Sequence, residues 1–182
     1  MKIEETYLEG AKIITPSTFE DNRGCFFETF KSTIFEDHGM PINFLQDNQV
    51  RSKKKGVLRG LHYQLNKPQG KLVQVLVGKI LDVAVDIRLG SPTYGKSQTV
   101  ELSSENKKLF YIPEGFAHGY LVISDSSTVL YKCTNIYDFE DEHGIKWNDP
   151  DLGIEWNNKS PLLSEKDNNL PYLKDQKCLP QF

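Results

Sequence analysis

Leu81-Asp82-Val83-Ala84-Val85-Asp86-Ile87-Arg88 decides the fold class. Its odd positions are all aliphatic, while the even ones are Asp, Ala, Asp and Arg. A period of two is the mark of a β-strand, whose successive side chains point to opposite faces. Downstream, Thr99-Val100-Glu101-Leu102 and Phe110-Tyr111-Ile112 read as strands, separated by a polar turn from Ser103 to Lys108. Tyr120–Ile123 and Thr128–Thr134 are expected to pair as a hairpin around Ser124-Asp125-Ser126-Ser127. Upstream, Gly56 to Lys71 reads GVLRGLHYQLNKPQGK: Val57, Leu58, Leu61, Tyr63 and Leu65 suit a strand, and Asn66, Pro68 and Gly70 the turn after it. Phe44, Leu45 and Val50 frame a strand carrying Gln46 to Gln49, and Cys25 to Phe30 is an aromatic strand with Phe26, Glu28 and Phe30 on one face. Residues 31–40 predict a short helix with Ser32 as N-cap and Gly39 as its stop. Strands spaced about every 8–12 residues, with turn signals between them, predict a mainly β antiparallel sandwich or barrel with few short helices.

Residues 138–182 change character: they are polar, anchored by Trp147 and Trp156 and broken by prolines at 150, 161, 171 and 180. We expect an irregular C-terminal wrap over the barrel inside a single domain, 1–182.

Composition narrows the function. A formal charge of −3 argues against a general nucleic-acid or membrane-surface binder. The one basic cluster, Arg51 to Lys55, has no aromatic interleaving and reads as a solvated loop. No run approaches the roughly 18 apolar residues of a membrane span. Cys25, Cys133 and Cys178 are odd in number and far apart, which reads as reduced thiols. The N-terminal stretch lacks the apolar core of a signal peptide, so the expected location is cytoplasmic.

Five groups of residues could carry chemistry. His62, with Lys71 a loop away, is the default general base, because histidine titrates closest to neutral pH. In an extended chain His62 shares a face with Leu58 and Gln64, while Arg59 points with Leu61 and Tyr63. Pro113 to His118 is a turn delivering a second histidine, which could equally just fix that turn. Tyr131 ends an apolar strand with Lys132 beside it, and by itself reads as a half-buried strand tyrosine with its hydroxyl in water. Asp167, in Leu163-Ser164-Glu165-Lys166-Asp167, reads by itself as a helix cap or loop acid. Arg23, Phe26 and Glu28 lie on the early aromatic strand, where Phe26 suits the core as well as it suits stacking. His62 is followed by Tyr63 and Gln64, with no second histidine two along, so the spacing lends a metal site no support.

In order along the chain, Asp21-Asn22-Arg23-Gly24 with Phe26-Phe27-Glu28, Gln46-Asp47-Asn48, Gly56 to His62, Asp86-Ile87-Arg88 with Gly90-Ser91-Pro92-Thr93, and Pro113 to Gly119 form a recognisable set. Tyr131-Lys132-Cys133-Thr134, Trp147-Asn148-Asp149-Pro150 and Ser164 to Asp167 complete it. From about Ile13 to Leu170 the chain resembles the dTDP-4-dehydrorhamnose 3,5-epimerases. The resemblance implies a cupin-type antiparallel β-barrel or jelly roll, and an isomerase that converts dTDP-4-dehydro-6-deoxy-D-glucose to dTDP-4-dehydro-L-rhamnose in dTDP-rhamnose biosynthesis. It implies no cofactor and no metal. His62 would be the base, Asp167 its orienting carboxylate, Tyr131 the acid on the opposite face, and Lys71 the donor to the C4 oxyanion. Arg59, Arg23 and Lys166 would hold the pyrophosphate. Glu28, Gln46 and Asn48 would read thymidine edges, Phe26, Phe19 or Tyr137 would stack on thymine, and His118 would line the sugar pocket. In this family the early strand packs on a partner subunit, which implies a homodimer with shared sites. A single-position (C3 or C5) epimerase on a related dTDP-4-keto sugar and a non-catalytic sugar-nucleotide-binding cupin are the alternatives.

Overall fold

The computed structural model describes residues 1–182. Strands β1 (Lys2–Glu5), β2 (Lys12–Thr15), β3 (Thr18–Asp21) and β4 (Gly24–Phe27) lead into helix α1 (Ser32–Asp37). Strands β5 (Gln46–Ser52), β6 (Leu58–Gln64), β7 (Lys71–Val77), β8 (Lys79–Asp86) and β9 (Ser97–Ser103) follow. Then come β10 (Leu109–Ile112), β11 (Phe116–Val122), β12 (Ser127–Cys133), the short β13 (Glu142–Gly144) and helix α2 (Glu165–Asn168). Two antiparallel sheets face each other: a six-stranded one ordered β1-β2-β10-β7-β12-β5 and a five-stranded one ordered β13-β6-β11-β8-β9. β3 and β4 form a separate two-stranded hairpin. This is the expected double-sheet β architecture, with helix confined to short pieces.

The Leu81–Arg88 alternation separates two buried faces. Val83, Val85 and Ile87 pack on the outer side of the five-stranded sheet with Leu58, Leu61 and Leu121, beneath Ile145, Leu152, Trp156 and Leu173 of the C-terminal wrap. Covering that face is the wrap's contribution to stability, since each fully buried aliphatic or aromatic side chain contributes roughly 1.5–3 kcal/mol. The even residues Ile80 and Ala84 turn inward to meet Val73, Val75, Val129 and Phe110 between the sheets. Asp82 and Asp86 share that inward face, and both are fully buried. Asp86 is satisfied by Arg88, Ser91 and Thr93.

The structure corrects four sequence expectations. The expected hairpin between the last part of β11 and β12 does not form: β11 pairs with β6 and β8, and β12 with β5 and β7. Ser124 to Ser126 instead carries the chain from one sheet to the other, as Gly78 does between β7 and β8. The Ser124 hydroxyl accepts from the Lys79 N–H (2.8 Å) and locks the two corners together. Apolar alternation predicts a strand but carries no information about which sheet receives it.

Ser32 is the first helical residue of α1, not its N-cap; Lys31 takes the cap position without a side-chain bond, while Gly39 (φ +67°) does end the segment. The aromatic strand stops at Phe27, short of Phe30, and pairs with the polar stretch Thr18–Asp21. Finally, the wrap contributes a strand: β13 lies antiparallel on the edge of β6, with Gly144 opposite His62.

Candidate active site

The site forms where the inward faces of both sheets turn polar. β6 should alternate regularly, placing Arg59 and His62 on opposite faces. It does not, because the β6–β11 register shifts between the His118 and Tyr120 pairs. At that shift Gly60 (φ +104°) lies so close to β11 that a Cβ would stand 2.5 Å from the His118 carbonyl oxygen. Only glycine fits there. With one residue absorbed, Arg59 and His62 both line the cleft, and Leu58 and Leu61 both join the outer cluster.

His62 Nε2–H donates to Asp167 Oδ1 at 2.6 Å. Asp167 sits in the first turn of α2, where the N-cap Ser164 Oγ accepts its backbone N–H at 3.0 Å. Burial works to raise the Asp167 carboxyl, but the hydrogen bond and charge of His62, helped by Ser164 and the Gly60 N–H, outweigh it and hold the group below the usual carboxylate range. The other ring nitrogen, Nδ1, lies 3.6 Å from Glu142 Oε1. Glu142 Oε2 accepts from the Tyr137 hydroxyl at 2.6 Å and pairs with Lys166 Nζ. Burial is again opposed and outweighed by those donors, so Glu142 also stays ionised below its ordinary range.

Facing these groups from the six-stranded sheet are Lys71 and Tyr131. Lys71 is buried, forms no ion pair, and burial pushes its ammonium pKa down; nearby Cys133, Asp82 and Glu142 oppose that shift. Burial likewise raises the Tyr131 hydroxyl. His118, opposite His62 in the register, donates from Nε2 to the buried Asp82 Oδ1 at 2.8 Å.

These side chains enclose one cleft with two lobes, of about 280 and 220 Å³, which share His62, Lys71 and Tyr131. Gln46, Asn48, Gln69, Tyr137 and Glu142 line the first lobe; Arg59, His118, Tyr120, Lys166 and Asp167 line the second. No group of three or more His, Cys, Asp or Glu side chains is arranged to hold a metal ion. A base held by a buried carboxylate, a tyrosine on the facing sheet and a lysine between them can move protons on either side of a carbon next to a carbonyl.

Ten of the fourteen expected site residues therefore converge on the cleft. The other four, Arg23, Phe26, Phe19 and Glu28, do not. Phe19, Arg23 and Phe26 line a separate depression on the β3–β4 hairpin, and Glu28 follows the end of β4. Arg23 is tied to Asp21 at 2.6 Å, and Phe19 and Phe26, opposite each other in the register, stand 65% and 67% exposed. Sequence reasoning missed Glu142, Gln69 and Asp82. Asp82 had a signal: a carboxylate inside an apolar strand needs a partner. Glu142 had none, because it lies in a stretch with no strand pattern.

The family model described as dTDP-4-dehydrorhamnose 3,5-epimerase matches residues 5–175. A dTDP-4-dehydrorhamnose 3,5-epimerase of Methanothermobacter thermautotrophicus is 51% identical over 174 residues, covering 94% of each chain. One from Pseudomonas aeruginosa is 46% identical over 182 residues, covering 99% of this chain and 100% of its own. The crystal structure of a dTDP-6-deoxy-D-glucose-3,5-epimerase from Legionella pneumophila, in complex with dTDP-4-keto-L-rhamnose, matches with a TM-score of 0.95 at 47% identity, covering 100% of this chain and 98% of that one. Identity this high over nearly the whole length, on the same double-sheet fold, places the chain in the dTDP-4-dehydrorhamnose 3,5-epimerase family.

Proposed function

We propose that this chain inverts C5 and C3 of dTDP-4-dehydro-6-deoxy-D-glucose, yielding dTDP-4-dehydro-L-rhamnose for dTDP-rhamnose biosynthesis. Both carbons flank the C4 ketone, so their hydrogens are acidic and inversion needs no change of oxidation state. The observation that carries the reading is that His62 and Tyr131 enter one cleft from facing sheets. A sugar ring lying between them presents one face to each.

His62 removes the proton, and Asp167 fixes the ring tautomer and stabilises the imidazolium, as a carboxylate does in a catalytic triad. Tyr131 delivers a proton from the opposite face; its raised hydroxyl pKa keeps it protonated until the carbanion forms. Lys71 receives the charge that develops on the C4 oxygen, and its lack of a counter-ion leaves the ammonium free for that oxygen. His118, steadied by Asp82, lines the sugar end. Arg59 and Lys166 take the pyrophosphate, while Gln46, Asn48 and Tyr137 form the thymidine end. Arg23, Phe26, Phe19 and Glu28 complete the site of a second copy, making the working form a homodimer; the exposed aromatic pair on the hairpin supports this. Residues 1–182 act as one unit, because the wrap supplies Asp167 to the barrel's His62. No helix is long and apolar enough to cross a membrane, and we place the reaction in the cytoplasm, where nucleotide sugars are made.

The test is NMR of dTDP-4-keto-6-deoxyglucose with the protein in D₂O. Deuterium at both C3 and C5 with formation of the L-lyxo product is expected. Exchange at one carbon would make the chain a single-position epimerase, and exchange at neither would remove the assignment.

A further inference from the structure

Two inversions on one bound sugar raise a question of proton traffic. In each inversion the C–H proton goes to His62, and the Tyr131 hydroxyl proton goes to the opposite face of the same carbon. The pair is left as imidazolium and phenolate, the wrong forms for a second inversion. Before the next one, His62 must lose its proton and Tyr131 must regain one while the sugar still occupies the cleft.

Two carboxylates flank His62, and they differ in a way that assigns them different tasks. Asp167 accepts from Nε2 at 2.6 Å and its side chain is only 6% exposed. Its backbone N–H is tied to the Ser164 cap and its side chain is buried, so it orients the ring but offers no exit. Glu142 lies on the other nitrogen, with Oε1 3.6 Å from Nδ1 and no hydrogen bond of its own at that oxygen. Its second oxygen is held by Tyr137 and Lys166, both of which reach solvent at the rim.

We propose that Glu142 is the proton exit that resets His62 between the two inversions. The Nδ1–H proton of the imidazolium passes to Glu142 Oε1, giving neutral histidine and a carboxylic acid. The acid then loses the proton to water at the rim, and the Lys166 and Tyr137 contacts favour its return to carboxylate. The Tyr131 phenolate takes a proton from water, so no net proton is gained or lost over the cycle. Glu142 thus passes the proton on without storing it.

The inference rests on the double-epimerase reading, so its test starts with that reading. In wild type, D₂O NMR should show exchange at both carbons with little release of singly inverted sugar. If it shows exchange at neither, the proposed function fails before Glu142 is in question. In Glu142→Gln, which keeps the size and the Tyr137 contact but cannot take the proton, both exchanges should slow unequally. Exchange at the second carbon should fall at least tenfold further than at the first, with singly inverted product released into solution. Addition of a small carboxylate buffer such as acetate should restore part of the second exchange. Equal slowing at both carbons, with no singly inverted product, would show that Glu142 only binds or positions the substrate and would overturn the proposal.

Discussion

In the cleft, Lys71 is buried without a counter-ion, and Arg59, though exposed, lines the second lobe free of any carboxylate; on the β3–β4 hairpin, Arg23 stands in solvent with its guanidinium folded back on Asp21. The aromatic residues divide in the same way. Tyr131 is packed against the inter-sheet core, whereas Phe19 and Phe26 face water. An uncompensated cation in a dry site is costly to the folded chain alone and becomes favourable when an anion arrives. An exposed, paired cation contributes at most about 1 kcal/mol to stability. The cleft is therefore built for a ligand by this chain itself, while the hairpin offers its surface outward.

That contrast can be broken most sharply at its centre. His62→Ala should cost about 10⁴-fold in turnover, the upper range for a positioned acid–base group, with the far-UV circular dichroism unchanged. A fully active variant would remove His62 from the chemistry. Lys71→Met should lower kcat about 10²–10³-fold, as loss of one oxyanion donor does; a change confined to KM would make it a binding residue only. Arg59→Ala should raise KM roughly 10–100-fold, the loss expected for charge-assisted hydrogen bonds of about 1.5–3 kcal/mol.

The hairpin gives the smaller effects. Arg23→Ala should shift stability by no more than about 0.5 kcal/mol while raising KM a few-fold. Mixed with His62→Ala and allowed to exchange subunits, it should regain the wild-type KM at sites that pair an intact His62 with an intact neighbouring hairpin. A KM indifferent to mixing would return Arg23 to its own chain or to no role at all.

The smallest effect is in acid. The Asp167 carboxyl is held below its unfolded value of about 3.9, so its contribution to stability is complete above that value. It is lost as pH falls from about 4 through the depressed folded pKa. Asp167→Asn should flatten the stability curve over that window. Equal acid slopes in the two proteins would show that the His62 contact adds nothing to folding.

Periodicity made the strands legible, and with them the β class, because alternation reports directly on which side chains are buried. Where the chain went next was not legible. Leu121 and Val129 look the same whether their strands pair or face each other across a core, and only the Ser124 corner decides it. His62, Lys71, Tyr131 and Asp167 were legible as a set through family resemblance, not through chemistry, since each alone had an ordinary structural meaning. The shared face of Arg59 and His62 was hidden by Gly60: a bulge depends on how closely another strand approaches, which the local pattern does not record. Glu142 was hidden for a related reason. Its strand exists only because the edge of β6 is there to receive it.

The bond between His62 and Asp167 spans 105 residues of chain. At a synthesis rate of about 5–20 residues per second, the ribosome needs roughly 5–20 s to travel from one partner to the other. During that interval β6 to β12 have emerged and can begin to pair, yet the base has no carboxylate to orient it. Under the proposed mechanism, the histidine therefore stands without its orienting carboxylate until Asp167 has been made, and the proposed chemistry follows the strands that house it.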